Sequence, residues 1–512
     1  MPTTTRAAAA ALFLVACSGD DGPGGSAPDA GDADTDSDAD ADTDTGEPDA
    51  GGSTDAGAPF DFASPSDGDD LLFSAAVEIV GGAEVETAQV SVTGEETPRC
   101  TWDARPFVCL VDLTTVPAGP SLLDARGLAG GVEVATAQIS ITRREPPLDP
   151  CGGAGTRDCV TNLALAGSAA GWTGLSYHDM DDGHAAYDTS AMVGIESKIN
   201  HLGVGADPWH RDEARIVVAN QSEAYVGAEG TWSIPRGIEI GGLEELWEES
   251  KIFLWPEHRD HGVADFYPWM VPTLVLSQGS SGSELDEIGK LLFILGAFAS
   301  ADLRSQMHEA AALMPALTMI HRRARVATDL EYVSAAAHPA AFMDAASDVS
   351  GITLAQAVRA EEIPPVANVS IEEETVPATW DDAGFAPILE GIYARAWAPP
   401  AAPAASPAGT FEAVVDLEGS LDANGRRLVF FASLVRGDPA HARVTRIDRS
   451  RFRVDFEWPE DHAEVVAGQS RTSRRATFAF FAHNGVWLSA PAFVSIFGAD
   501  PYAPAPDANN LD

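Results

Sequence analysis

The chain has 512 residues and 45% of them are hydrophobic, so several domains of about 150 residues can each close a core. Asp plus Glu number 78 against 31 Lys plus Arg, a formal net charge of -47. That balance argues against nucleic acid as a partner, since phosphates need a basic face, and against a polybasic grip on anionic lipid. No apolar run reaches the length of about 18 residues that a spanning helix needs.

Arg6 precedes an apolar stretch, residues 7–16, that is too short to cross a bilayer and has the form of an export signal. The stretch closes on Leu14-Val15-Ala16-Cys17. This resembles the bacterial lipobox, which implies removal of residues 1–16 and acylation of Cys17, palmitate included. Ser18 rather than Asp follows, which in Gram-negative lipoproteins implies sorting to the outer membrane. The expected address is therefore exported and lipid-anchored, with the membrane as a partner through the anchor. Residues 17–59 carry thirteen acidic side chains and no Lys, Arg or His. Like charges repel there and little can be buried, so the segment is expected to be a disordered acidic tether.

Four cysteines remain, in two close pairs: Cys100 with Cys109 and Cys151 with Cys159. An even count at short spacing in an exported chain predicts two local disulfides, the first stapling a hairpin. A four-cysteine zinc site is the alternative, and the placement of the pairs in different modules weighs against it.

Residues 60–145 alternate Val, Ile, Leu, Phe and Thr with Gly, Pro and Asp clusters. Strands are expected over 71–80, 84–93, 107–113 and 132–141, giving a β-sandwich. With Val111-Asp112-Leu113 before a Pro-Ala-Gly-Pro turn, the segment resembles bacterial immunoglobulin-like domains. Residues 409–512 read as a second sandwich, with strands over 410–417, 427–434, 451–456, 475–482 and 492–497 and a turn at Asp422-Ala423-Asn424-Gly425. Ser489-Ala490-Pro491-Ala492-Phe493-Val494 gives it a resemblance to PKD or cadherin-like modules. A stiff Pro/Ala linker, 397–408, precedes it.

Residues 146–396 differ. Strand-like runs at 215–219, 251–255 and 273–276 are followed by a helix over 284–299, with Leu285, Ile288, Leu291, Leu292, Leu295 and Phe298 on one face. Helices near 302–311, 315–325, 329–336 and 352–361 follow. The expected fold class is multidomain α+β: an N-terminal β-sandwich, a central α/β domain with a helical second half, and a C-terminal β-sandwich.

Polar side chains cluster after each central strand. Asn220-Gln221-Ser222 follows the first, Pro256-Glu257-His258-Arg259-Asp260-His261 the second, and Ser277-Gln278-Gly279-Ser280-Ser281-Gly282-Ser283 the third. Tyr177 to His184 lies upstream and includes Asp181 and His184. Ligands bind outside the carboxyl ends of strands in an open α/β sheet, so the loops at 177–184, 220–222, 256–261 and 277–283 are expected to converge on one cleft. The Gly/Ser run offers three roles: Ser283 as helix N-cap, backbone N–H groups as an anion cradle, or Ser280 or Ser281 as nucleophile. It matches neither the nucleophile elbow nor the P-loop. The histidines and carboxylates match no named metal spacing, so metal and cofactor stay undefined. His321-Arg322-Arg323 with Arg325 is expected to complement a helix C-terminus. Trp209, Trp232, Trp247, Trp255 and Trp269 are expected in the core, with sugar stacking as the alternative.

On Tyr177 to His184, Pro256 to His261 and Ser277 to Ser283, the central region, about 160–365, resembles an uncharacterised family of large exported bacterial proteins. His178-Asp179-Met180 departs from that family's pattern. The resemblance implies an architecture ending in a PKD-like module, and no activity.

Two functions remain open. One is a membrane-anchored cell-envelope binding or structural lipoprotein, with the sandwiches as spacers and the central domain contacting polysaccharide or an anionic ligand. The alternative is an exported hydrolase with a His/Asp/Ser site in the central domain.

Overall fold

The computed structural model describes residues 58–146, 175–179, 186–190, 192, 195–199, 216–220, 225–226, 233–234, 250–257, 274–278, 285–298, 301–339, 348–375, 394–397, 410–457, 462–466, 469–473 and 475–497. The signal, Cys17, nearly all of the acidic tether, Cys151, Cys159 and all but the first residue of the Pro/Ala linker lie outside the described residues. The described chain is β-rich, with several separate sheets and few helices.

Eight strands come from the N-terminal segment: β1 (Asp61–Ser64), β2 (Asp69–Leu71), β3 (Ser74–Val80), β4 (Thr87–Val92), β5 (Cys100–Trp102), β6 (Phe107–Asp112), β7 (Gly119–Ala129) and β8 (Val132–Arg143). They form two sheets, ordered β1-β3-β6 and β2-β8-β7-β4-β5. In β4 the period of two is clean: Ala88, Val90 and Val92 turn inward, and the residues between them are half-buried. The β7–β8 hairpin turns at Gly130 and Gly131, with φ of 53° and 80°. Two consecutive positive φ angles favour glycine there. The Cys100–Cys109 disulfide forms, with Cα atoms 6.6 Å apart. It does not staple a hairpin, as the spacing suggested. Cys100 sits in the five-stranded sheet and Cys109 in the three-stranded one, so the bond joins two sheets.

The central strands are β9 (Leu175–Asp179), β10 (Ile195–Ile199), β11 (Ile216–Asn220), β14 (Lys251–Glu257) and β15 (Leu274–Gln278), with a small hairpin, β12 (Tyr225–Val226) and β13 (Ser233–Ile234), between the third and fourth. The five form a sheet ordered β10-β9-β11-β14-β15 in which every pairing is parallel. Tyr177, His178 and Asp179 lie in a strand, not in the loop the sequence suggested.

Five helices follow: α1 (Leu285–Ala297), α2 (Ala301–Glu309), α3 (Leu313–Arg323), α4 (Asp329–Tyr332) and α5 (Asp348–Ala357). From Glu287 to Ala297 every residue of α1 is buried, so its surroundings are protein on all sides and not on one face only. α1 packs against α3 and α5.

The last strands are β16 (Ser370–Thr375), β17 (Ala394–Trp397), β18 (Thr410–Asp416), β19 (Val429–Arg436), β20 (Ala442–Arg446), β21 (Arg451–Glu457), β22 (His462–Val466), β23 (Gln469–Ser473), β24 (Arg475–His483) and β25 (Ala492–Phe497). Two four-stranded sheets are ordered β16-β18-β21-β20 and β17-β25-β24-β19. Strands from before the linker take part in both: β16 joins β18 and β17 joins β25.

Strands β3 and β24 bury both faces. In β3, Ala75, Val77 and Ile79 enter the N-terminal core, while Ala76 joins the core around the helices. In β24, Phe478 and Phe480 enter the C-terminal core, while Ala479 and Phe481 join that same helical core. The two β modules thus present a second apolar face to the helices, and both contribute to the core around them while keeping cores of their own.

Polar contacts reinforce these faces. Arg427 pairs with Glu78 at 2.7 Å, and Arg144 with Glu362 at 2.7 Å. Tyr332 Oη donates to the Ser489 carbonyl at 2.9 Å. In the Asp422–Gly425 turn, Asn424 accepts from the Ile363 N–H and donates to the Ala360 carbonyl, both at 2.8 Å.

Candidate functional site

The parallel sheet brings strand ends together. Asp179 ends β9 in register with Asn220, which ends β11, and Asn220 is level with Leu254 of β14. The β14–β15 ladder continues to Glu257 and Gln278. Those two strands therefore run three residues past the last β11–β14 pair, a step of about 10 Å at 3.3 Å per residue. Numbered by chain order, the sheet reads 2-1-3-4-5, and the order reverses between β9 and β11. In open α/β sheets a reversal of strand order is the place where crossovers diverge and ligands bind at the carboxyl edge.

Tyr177 anchors the end of β9 and is 1% exposed. Its Oη accepts the Tyr187 N–H at 2.9 Å, and the two rings meet edge to face at 6.2 Å. Tyr187 lies against Gly289 of α1, the helix that follows β15.

Near the start of α1 is a buried charged cluster. Glu287 accepts from Lys290 Nζ at 2.9 Å, meets His321 Nε2 at 2.5 Å and accepts from Arg325 at 2.8 Å. Burial alone would raise the Glu287 carboxyl, but His321, Arg325 and Lys290 outweigh it and hold the group below its usual range. Burial lowers His321 to about 4 against the pull of Glu287, and Arg325 and Arg322 push the same way as burial. The basic run at 321–325 thus does more than complement a helix end: His321 and Arg325 contact Glu287, and Arg323 pairs with Asp329 at 2.6 Å.

One constellation has the composition of a nucleophilic triad. Ser74 Oγ donates to Asp329 Oδ2 at 2.6 Å and meets His483 Nε2 at 3.3 Å. Its polarity is reversed. The Gly485 N–H donates to His483 Nδ1 at 2.9 Å, so Nδ1 is the acceptor and the proton sits on Nε2, which donates to Ser74. A nucleophilic serine must donate to its histidine, and the histidine to its carboxylate. All three groups are buried as well. A second contact, Ser250 Oγ to His308 Nδ1 at 2.7 Å, lies at the amino end of β14, the opposite edge from the strand ends, and Ser250 is 1% exposed. Neither contact was signalled by sequence spacing.

Of the candidates from sequence, Asn220 is at the carboxyl edge. Asp181, His184, His258, Arg259, Asp260, His261, Gly279, Ser280, Ser281, Gly282 and Ser283 lie outside the described residues, as do Trp209, Trp232, Trp247 and Trp269. Among the described residues no group of three or more His, Cys, Asp or Glu could hold a metal ion. Among them, too, no helix is long and apolar enough to cross a membrane, which leaves β-barrels unaddressed.

No family model and no curated protein matches the chain. Among solved structures, it is similar to fibronectin(III)-like modules of Clostridium thermocellum CbhA, at 11% identity over 17% of this chain and 94% of that one, TM-score 0.15. It is similar to a nucleoside hydrolase-related hypothetical protein from Saccharophagus degradans associated with carbohydrate metabolism, at 9% identity over 56% of this chain and 72% of that one, TM-score 0.20. It is also similar to the cell-surface-expressed multi-modular chitinase ChiW from Paenibacillus sp. str. FPU-7, at 11% identity over 88% of this chain and 52% of that one, TM-score 0.15. Likenesses this slight carry no functional argument.

Proposed function

We propose that the chain is an exported, lipid-anchored envelope protein whose central α/β unit, set between two β-sandwiches, binds a neutral hydroxyl-rich ligand, a saccharide, at the carboxyl edge of its parallel sheet. The observation that carries this reading is the 2-1-3-4-5 strand order, with Asp179 and Asn220 paired at the point of reversal. The strand ends there are Asp179, Asn220, Glu257 and Gln278, two carboxylates and two amides. The carboxylates accept from hydroxyls, the amides both accept and donate, and none offers a positive charge to an anion. The net charge of -47 also repels anions. The lipobox ending at Cys17 supports the address.

Isothermal titration of the purified full chain with neutral oligosaccharides tests the reading. The expected result is saturable binding that Asn220→Ala weakens at least about tenfold, equivalent to about 1.4 kcal/mol. Identical titrations for both proteins, or no heat with any saccharide, overturn it. Shortened oligosaccharides in the mixture would instead select the hydrolase alternative. Fractionation tests the anchor: Cys17→Ser moves the protein from membranes to the soluble fraction, and a variant that still sediments in high salt refutes lipidation.

A further inference from the structure

We propose that Tyr187 is the positioning residue of this site, a pin that fixes the end of β9 against α1 and so sets where the backbone of Asp179 sits on the carboxyl edge. The proposal rests on the ligand reading above for its functional consequence, and on packing for its mechanism.

Gly289 shows that the contact is built. It is buried in the first half of α1, whose other glycine, Gly296, is the next-to-last residue of the helix. Glycine there costs about 1 kcal/mol relative to alanine, so something must occupy the space of the missing methyl. Tyr187 does. A Cβ at position 289 would stand 2.9 Å from Tyr187 Oη, 3.2 Å from Cε2 and 3.3 Å from Cζ. The first is shorter than real Cβ contacts and the other two are tighter than most, so alanine would displace the ring.

The other side of Tyr187 is held by β9. Its N–H donates to Tyr177 Oη at 2.9 Å, and the rings pack edge to face. Tyr177 is two residues before Asp179 and is fully enclosed. One side chain and one backbone N–H thus link the strand that ends in Asp179 to the helix that follows Gln278. β9 and β15 are three strand spacings apart, about 14 Å at 4.8 Å each. α1 contacts β11, which lies between them, and Tyr187 joins α1 to β9 through Tyr177. A shift of Tyr187 is therefore transmitted to the relative placement of the two ends of the carboxyl edge. Misplacement by about 1 Å at a binding group is enough to lower affinity strongly.

The test compares wild type, Gly289→Ala, Tyr187→Phe and the double variant. Oligosaccharide titration, thermal unfolding and hydrogen exchange at the Tyr187 amide are measured on each. Gly289→Ala is expected to weaken binding at least about tenfold, to leave the unfolding midpoint unchanged or higher because alanine favours helix, and to speed exchange at that amide. Tyr187→Phe removes the oxygen at 2.9 Å, so the double variant is expected to recover both affinity and protection. A purely structural role would lower the midpoint of Gly289→Ala and leave the affinity of the folded protein intact. Unchanged affinity and exchange in Gly289→Ala, or losses that Tyr187→Phe fails to reverse, overturn the pin. If the wild type binds no saccharide but the exchange pattern follows the expectation, the ligand reading fails and the pin stands.

Discussion

Ser74 donates to Asp329 at 2.6 Å across 255 positions of chain. Ser74 belongs to an N-terminal strand and Asp329 to the start of α4, and His483, at the end of a C-terminal strand, completes the contact. Arg323 holds the other carboxylate oxygen at 2.6 Å. Three parts of the chain thus meet at one buried carboxylate. With the shared apolar core, this makes the β modules integral walls of the helical layer.

Removing that charge should be costly. Asp329→Asn leaves the Arg323 guanidinium buried without its carboxylate, a change typically worth about 3–5 kcal/mol. Urea unfolding should show a lower midpoint. It should also show a single transition by tryptophan fluorescence and by circular dichroism, since both modules contribute to the core around the helices. Two separated transitions in the wild type would contradict the shared core.

Stability should fall in mild acid. Burial lowers His483 from 6.5 to about 4, with Asp329 pulling weakly upward. The folded protein therefore resists protonation that the unfolded chain accepts near 6.5. The stabilisation is complete above pH 6.5 and is lost as pH falls through about 4. A shift of that size corresponds to roughly 3 kcal/mol. Burial moves His321 in the same direction. The stability difference between wild type and His483→Gln, measured by urea midpoints, should shrink between pH 7 and pH 4. A difference that is constant across that range would refute the assignment.

The sequence made some of this legible, for physical reasons. β4 alternates Thr, Ala, Gln, Val, Ser, Val with every second residue inward, and β18 alternates in the same way, so a period of two located both. α1 was visible because its apolar residues recur at helical spacing. β9 was not: Leu-Ser-Tyr-His-Asp is short and polar, and only its parallel neighbours define it as a strand. β7 begins with Gly119 and Pro120 and contains Gly127, residues that argue against a strand when read locally. The end of β11 was readable at Asn220, where a polar residue closes an apolar run. The Ser74–Asp329–His483 contact could not be read, because no local spacing relates residues that only the fold brings together.

The Cys100–Cys109 bond should stabilise more than its ten-residue span suggests to the eye. The chain-entropy model gives roughly 2–3 kcal/mol for a loop of about ten residues. Because the bond joins two sheets, its loss leaves β5 tied to β6 chiefly by the Trp102 Nε1–Val108 carbonyl hydrogen bond at 2.7 Å. A Cys100→Ser, Cys109→Ser double variant should therefore unfold at a lower urea concentration and exchange amide hydrogens faster in β5 than in β8. Equal protection of β5 with and without the bond would show that packing alone holds it.

The central claim is one of location: a saccharide at the carboxyl edge of the parallel sheet. Photo-crosslinking with a diazirine-bearing neutral oligosaccharide, followed by peptide mapping of the full chain, reads that location directly. The account predicts label on peptides that carry Asp179, Asn220, Glu257 and Gln278, and loss of label when unmodified oligosaccharide competes. Competed label confined to the β modules, to residues 60–145 or 410–497, would contradict it.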